Sequence, residues 1–392
     1  MYKLVELESI CEVIPGQSPP SSSYNQMKDG LPFFQGKADF NEKYPSIRYW
    51  CNKPKKISTR NDILMSVRAP VGAININNIE ACIGRGLAAI RCGKDVDLNF
   101  LYHFLKYQQQ KIQDLGTGST FKAITMKTLK SIKIPIAPLE TQRRIASILD
   151  DAAALRDKTK QLLKEYDLLA QSIFLDMFGD PVVNPKGWKV QKLKELSTKI
   201  GSGNTPKGGS KVYVKEGITF FRSQNVWRNN LLMNDIAFID QATHNNMKKS
   251  SLKKGDVLMT KTGRVNTENS SLGRAAMYLG EDDKANLNGH VYLIRLKKEV
   301  INEYILFILT TNQYREYIRR VCVGGIDKRQ LNKNHLEEFP IIYPPLELQN
   351  EFAEKLVLIE QQKELARQEL QESEDLFNCL LQKAFKGELV NN

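Results

Sequence analysis

The strongest constraint on this chain is that it repeats itself. Leu31-Pro32-Phe33-Phe34-Gln35 recurs as Ile218-Thr219-Phe220-Phe221-Arg222, 187 residues later. Asn61-Asp62-Ile63-Leu64-Met65-Ser66 recurs as Gly255-Asp256-Val257-Leu258-Met259-Thr260 at an offset of 194. Pro138-Leu139-Glu140-Thr141-Gln142 recurs as Pro345-Leu346-Glu347-Leu348-Gln349 at 207. The offset grows while the order of blocks stays fixed, as a duplication with insertions in its second copy requires.

Each copy has two parts. The first is mixed and irregular. Short β-like runs at 63–67, 87–91, 257–260 and 291–296 alternate with Gly-, Pro-, Ser- and Asn-rich turns. It closes on an amphipathic helical stretch, about 98–112 in one copy and 301–319 in the other. The second part is a long helix without Gly or Pro. At 3,4 spacing, Ile145, Ile148, Ala152, Leu155, Thr159, Leu162, Tyr166, Leu169 and Ile173 form one stripe, apolar at all positions but Thr159. In the second copy the stripe is Phe352, Leu356, Ile359, Lys363, Ala366, Leu370, Ser373, Phe377, Leu380 and Ala384, apolar except at Lys363 and Ser373. A seam held at heptad spacing indicates coiled-coil packing. A helix of about 38 residues spans about 57 Å, too long to lie on one small domain. Pro138 and Pro345 precede the helix starts; Gly179 and Gly387 follow the ends, where a C-cap favours glycine.

The expected fold is therefore two mixed α/β (α+β) globular domains, 1–138 and 180–345, alternating with long helices at 139–179 and 346–392. If the helices pair, they run antiparallel. Two equal halves joined this way have a pseudo-two-fold axis, with globular domains at opposite ends facing one way, as in a dimeric DNA reader.

The charge is partitioned along the same boundaries. The chain carries a net +13. Residues 1–138 contribute +8 and 180–345 contribute +11, whereas 139–179 contribute −1 and 346–392 contribute −5. Charge kept for solubility needs no such partition; phosphate binding by the globular domains does. Base edges are read by amide, hydroxyl and cationic side chains on exposed turns. The candidates are Gln17, Ser18, Gln35, Lys37 and Arg68 in the first copy. In the second they are Asn204, Thr205, Lys207, Arg222, Gln224, Asn225, Lys261 and Arg264.

Catalytic motifs are missing. Tyr343-Pro344-Pro345-Leu346 lacks both the polar first residue and the closing aromatic of an adenine methyltransferase motif. The glycines from Gly203 to Gly209 have Walker-like spacing, but Gly209 stands where the phosphate-binding lysine belongs. His103, His244, His290 and His335 are far apart and in no zinc-binding pattern. Six scattered cysteines contain no C-x-x-C pair and read as free core thiols in a reducing compartment. The N-terminus has no signal-peptide pattern and no segment reads as a membrane span, so the expectation is a cytoplasmic protein without a membrane partner.

Taken together these blocks resemble the specificity subunits of type I restriction–modification systems. The resemblance covers the whole chain: variable domain, Pro-Leu-Glu-x-Gln block, long helix ending in Phe178-Gly179-Asp180, and then the same series again, ending in Ala384-Phe385-Lys386-Gly387. The variable domains carry weak family motifs only, such as the turn Gly16-Gln17-Ser18-Pro19 and its counterpart Gly203-Asn204-Thr205-Pro206. The resemblance implies a non-catalytic subunit that reads a bipartite, asymmetric site in double-stranded DNA. It implies helices that set the gap between half-sites and dock two modification (methyltransferase) subunits, with restriction/translocase subunits added. S-adenosylmethionine, ATP and Mg would sit on those partners, and no cofactor or metal on this chain. The alternative from another class is a stand-alone, pseudo-dimeric DNA-binding regulator or architectural protein. A methyltransferase gene alongside would separate the two.

Overall fold

The structure is a computed structural model that describes residues 2–118, 122–264 and 269–390. Residues 1, 119–121, 265–268 and 391–392, which fall within the domain spans expected above, lie outside that description. The chain divides into two compact units, Met1–Leu162 with Ala366–Asn392, and Leu163–Leu365. The division cuts both long helices, Leu139–Phe178 and Leu346–Lys386, so each unit holds half of each.

The two units are built on one plan. The first has a two-stranded sheet of Lys3–Glu6 and Lys133–Ile136. Its four-stranded sheet runs in the order Cys11–Pro15, Leu87–Cys92, Ile63–Ser66, Ile74–Ile76. The second unit repeats both. Val190–Lys192 pairs with Pro340–Ile342, and the four-stranded order is Ser197–Ser202, Val291–Leu296, Val257–Thr260, Ala275–Met277. The Phe-Phe block lies on a third sheet in each unit. Leu31–Phe34 runs parallel to Ala81–Ile83, and Ile218–Phe221 runs parallel to Ala285–Leu287.

The Asp of the second repeated block has a structural reason to recur. Asp62 and Asp256 are both 1% exposed. Arg91 grips Asp62 with two bonds of 2.9 and 3.0 Å, and Arg295 grips Asp256 at 2.8 and 2.7 Å. A buried carboxylate requires such a partner. The glutamine of the third block also recurs for a reason. Gln142 is fully buried, donates to the Asp95 and Ala137 carbonyls, and accepts from the Asp97 amide. Gln349 donates to the Pro344 carbonyl at 2.9 Å. Each ties the first turn of a long helix to its own unit.

In the first unit Ile145, Leu149 and Ala152 pack with Phe377, Leu381 and Ala384, and Lys160 pairs with Glu374 at 2.9 Å. In the second, Phe174 and Phe178 pack with Phe352, and Lys363 pairs with Asp167 at 2.8 Å. Within each unit, then, the helix segments run antiparallel. All ten expected seam positions of the second helix are buried or half-buried. The first helix needs a correction. Leu155 and Leu169 are 45% and 46% exposed. The seam passes instead through Leu149, Arg156, Leu163 and Ala170, with Ala152, Thr159 and Tyr166 between them. Hydrophobicity alone favours Leu155 over Arg156. The arginine wins because its stem lies in the seam and its guanidinium sits 4.8 Å over the Phe377 ring.

Two further expectations change. The amphipathic stretches are not single helices. Each breaks once, into Leu98–Tyr107 and Gln109–Asp114, and into Asn302–Thr310 and Asn312–Val321. At the second break Thr311 is extended, and its hydroxyl caps the following helix by accepting from the Tyr314 amide. The cysteines are free, but Cys379 is exposed on the second long helix rather than in a core.

Candidate nucleic-acid interface

The repeated turn exists because two loops approach closer than a side chain allows. In the first unit the Gly16 amide donates to the Leu87 carbonyl at 2.9 Å and the Gln17 amide to Ile83 at 3.0 Å. A Cβ on Gly16 would stand 2.2 Å from the Gly84 carbonyl oxygen. In the second unit Gly203 donates to Val291 and Asn204 to Leu287, and a Cβ on Gly203 would meet the Asn288 oxygen at 2.2 Å. Only glycine fits.

Around this turn three other loops converge. In the first unit residues 84–86 are the hub. The Gly84 amide donates to the Phe34 carbonyl, the Val67 amide donates to Gly86, and the Arg85 amide donates to the Ser18 hydroxyl at 3.3 Å. The second unit repeats the hub at 288–290, where the Asn288 amide donates to Phe221 and the Lys261 amide to His290. Gln17, Ser18, Gln35 and Arg68, far apart in sequence, thus come to one rim, with Lys37 two residues beyond Gln35. Gln17, Gln35, Lys37, Arg68 and the unforeseen Arg85 are exposed there, and Ser18 is half-buried. In the second unit Asn204, Thr205, Lys207, Gln224 and Arg264 are exposed.

Four candidates of the second copy are more constrained than their sequence context indicates. Asn225 is fully buried: it accepts from the Arg222 amide at 3.0 Å and donates to the Leu232 carbonyl. Its counterpart Asp39 closes the same turn in the first unit, accepting from the Gln35 amide at 2.7 Å. Asn225 is a turn-closing core residue, not a base contact. Arg222 is held by Asp235 at 3.2 Å and lies 5.9 Å over Tyr213, and Gln224 donates to the same carboxylate at 2.9 Å. The Gln224 bond, then Arg222, holds the Asp235 carboxyl below its usual range. Lys261 is half-buried over the Tyr292 ring, 4.4 Å from its centroid, and donates to Ser202 and to the Gly289 carbonyl. Burial pushes its ammonium pKa down.

Sequence reasoning missed a hairpin. Thr262–Arg264 pairs with Lys328–Gln330, which pairs with Val323–Gly324. This places Lys328 and Arg329 beside Arg264. Gly324-Gly325 with Asp327 was the available turn signal.

Among the described residues no group of three His, Cys, Asp or Glu could hold a metal. Among them, too, no helix is long and apolar enough to cross a membrane. What the loops offer is a set of amide, hydroxyl and guanidinium donors on a rigid frame, suited to reading base edges.

A putative type I restriction enzyme specificity subunit, MjaX, from Methanocaldococcus jannaschii is 49% identical over 170 residues. That match covers 42% of this chain and 40% of the relative, so the chain spans less than half of that protein's length. The MjaIX specificity subunit of the same organism is 23% identical over 90% of this chain and 85% of its own. The crystal structure of the type I restriction–modification S subunit from M. genitalium superposes with a TM-score of 0.56 at 18% identity, covering 98% of this chain and 96% of the other; this likeness concerns the fold. The type I restriction modification DNA specificity domain matches twice, at residues 1–165 and 185–374, and the chain belongs to that family.

Proposed function

We propose that this chain is the DNA-reading subunit of a type I restriction–modification complex, and that it catalyses nothing itself. Each unit reads one half of a split site. The long helices set the gap between halves and dock two methyltransferase subunits, and restriction subunits join them. S-adenosylmethionine, ATP and Mg belong to those partners.

One observation carries the reading. The two units present the same loop frame with different side chains at equivalent backbone positions. Matching backbone hydrogen bonds place Gln17 where Asn204 stands and Val67 where Lys261 stands, and the matching bonds of Gly84 to Phe34 and of Asn288 to Phe221 place their chain neighbours, Gln35 against Arg222 and Arg85 against Gly289. One frame with two sets of donors reads two unlike sequences. The charge partition supplies the sequence-independent part of binding.

Replacing residues 1–138 with the first domain of another family member is the test. One half of the recognised site should change and the other should persist. A site that changes in both halves, or in neither, contradicts the reading. The purified chain should transfer no methyl group from S-adenosylmethionine to DNA without a partner; measurable transfer by the chain alone refutes the non-catalytic role.

A further inference from the structure

Four arginines of the second unit gather from three separate segments, which the Asn229 amide bond to the Ala275 carbonyl and the reach of Arg315 to Gly273 bring together, and among the described residues little offsets their mutual repulsion. Arg315, on the helix Asn312–Val321, is 4% exposed, and its Nε is buried without a hydrogen-bond partner. One of its terminal nitrogens reaches the Gly273 carbonyl at 3.5 Å. Arg274 is 8% exposed and lies 3.6 Å over the Trp227 ring, with its Nε donating to the Ser270 carbonyl at 3.0 Å. Burial, then the charges of Arg228, Arg319 and Arg274, push the Arg315 pKa down to about 10. Burial and Arg319 also lower that of Arg228. Among the described residues the carboxylate that offsets Arg315 is Glu316, which is itself ion-paired with Arg319.

The fold does not need this charge, as the first unit shows. Ala73 occupies the place of Arg274: its carbonyl accepts from Ser66 as that of Arg274 accepts from Thr260. Gly72 and Gly273 precede them, both at positive φ, and face Ile112 and Ile318. Counting from those isoleucines, Gln109 matches Arg315 and Gln113 matches Arg319. The bridge of Phe40 to Pro45, equivalent to that of Val226 to Leu231, sets Glu42 against Arg228. The same scaffold thus folds with one acid, one alanine and two glutamines where the second unit has four arginines. Burying like charges costs stability, so a cluster that the frame does not require points to an anion it holds in the bound state.

The geometry points to a site for a DNA backbone phosphodiester at Arg228, Arg274, Arg315 and Arg319, present in the second unit and lacking in the first. It rests on the DNA-reading function proposed above and adds to it an asymmetry of grip. The second half-site is held by a phosphate clamp, and the first depends on its rim alone. Phosphate fits because it takes several guanidinium donors at once and tolerates the charge that a neutral ligand could not offset. The cluster should therefore add affinity without adding sequence preference.

Binding of the full chain to a labelled duplex carrying its site, and to a random duplex, over a salt series tests this. Arg228→Gln removes a charge from an exposed side chain, and Arg319→Gln removes one from a half-buried side chain. Each should weaken both duplexes by the same factor and make the slope of log K against log salt shallower by about 0.9. Lys355→Gln, on the second long helix, removes the same charge and should change neither. Wild-type slopes in both arginine variants overturn the clamp while leaving the DNA-reading function intact. A wild-type chain that binds no duplex at all overturns the function itself. Inorganic phosphate, compared with chloride at matched ionic strength, distinguishes the source of the anion. Competition by phosphate that the variants abolish places the duplex backbone at these arginines; phosphate that binds them but leaves duplex affinity unchanged would assign the site to the free ion and overturn the backbone assignment.

Discussion

Removing the Phe352 ring should unfold the second unit at a much lower temperature and leave the first almost untouched. Phe352 is 1% exposed near the start of the second long helix. Its ring lies 4.9 Å from Phe307, 5.4 Å from Phe174, 5.6 Å from Phe178 and 6.5 Å from Tyr304, mostly edge to face. It therefore joins both long helices to the helix Asn302–Thr310 that backs the sheet of this unit. A buried Phe→Ala change costs about 3–5 kcal/mol. Four ring neighbours, each worth about 0.5–1.5 kcal/mol beyond area, place Phe352→Ala in the upper half of that range. For a unit of this size each kcal/mol lowers the midpoint by about 2–4 °C, so a fall of about 8–20 °C is expected. Differential scanning calorimetry of the full chain reads this directly. A fall under about 3 °C, or an equal shift in the transition of the first unit, would refute the reasoning.

Three other outcomes are expected. Arg295→Met leaves Asp256 buried with the Lys253 amide as its remaining partner; it should cost roughly 2–4 kcal/mol in urea unfolding, and Asp256→Asn added to it should recover part of the loss. Leu162→Pro breaks the first long helix near its middle, at a local cost of ~3 kcal/mol or more; both units should keep their secondary structure by circular dichroism while recognition of the split site and partner docking fail. Burial raises the Asp150 pKa, but the bond from His103 at 3.0 Å and Lys43 at 3.3 Å outweigh it and hold the carboxyl below its usual value. The pair therefore stabilises the fold above the ordinary carboxylate pKa and loses that effect as pH falls through the lowered one. Asp150→Asn should flatten this acid limb of the stability curve, and an unchanged limb would contradict it.

The long helices were legible because nothing in them interrupts a 3,4 pattern, and the repeat was legible because its blocks carry structural necessity. Asp62 and Asp256 need their arginines, and Gln142 and Gln349 tie down the helix starts. The seam of the first helix was displaced by one residue because pattern reading ranks Leu155 above Arg156 and cannot see the Phe377 ring that holds the guanidinium. The loops of the interface were found from their turn residues. Which side chains they leave exposed was not legible, since Asn225 is turned inward by the Leu232 carbonyl and Lys261 is held by Tyr292 and Gly289. The arginine cluster was invisible for a similar reason: positions 228, 274 and 315–319 meet only through the fold. Local pattern reports local geometry, while the occupancy of a surface is decided by neighbours distant in the chain.

Mapping methylated adenines across the genome, with and without this gene, tests the central claim most directly. It should be done in a strain where an active methyltransferase co-purifies with the chain. The expected result is one motif of two unlike halves separated by a fixed gap, lost entirely when the gene is removed. A palindrome of identical halves, a single continuous motif, or methylation that persists without the gene would contradict it.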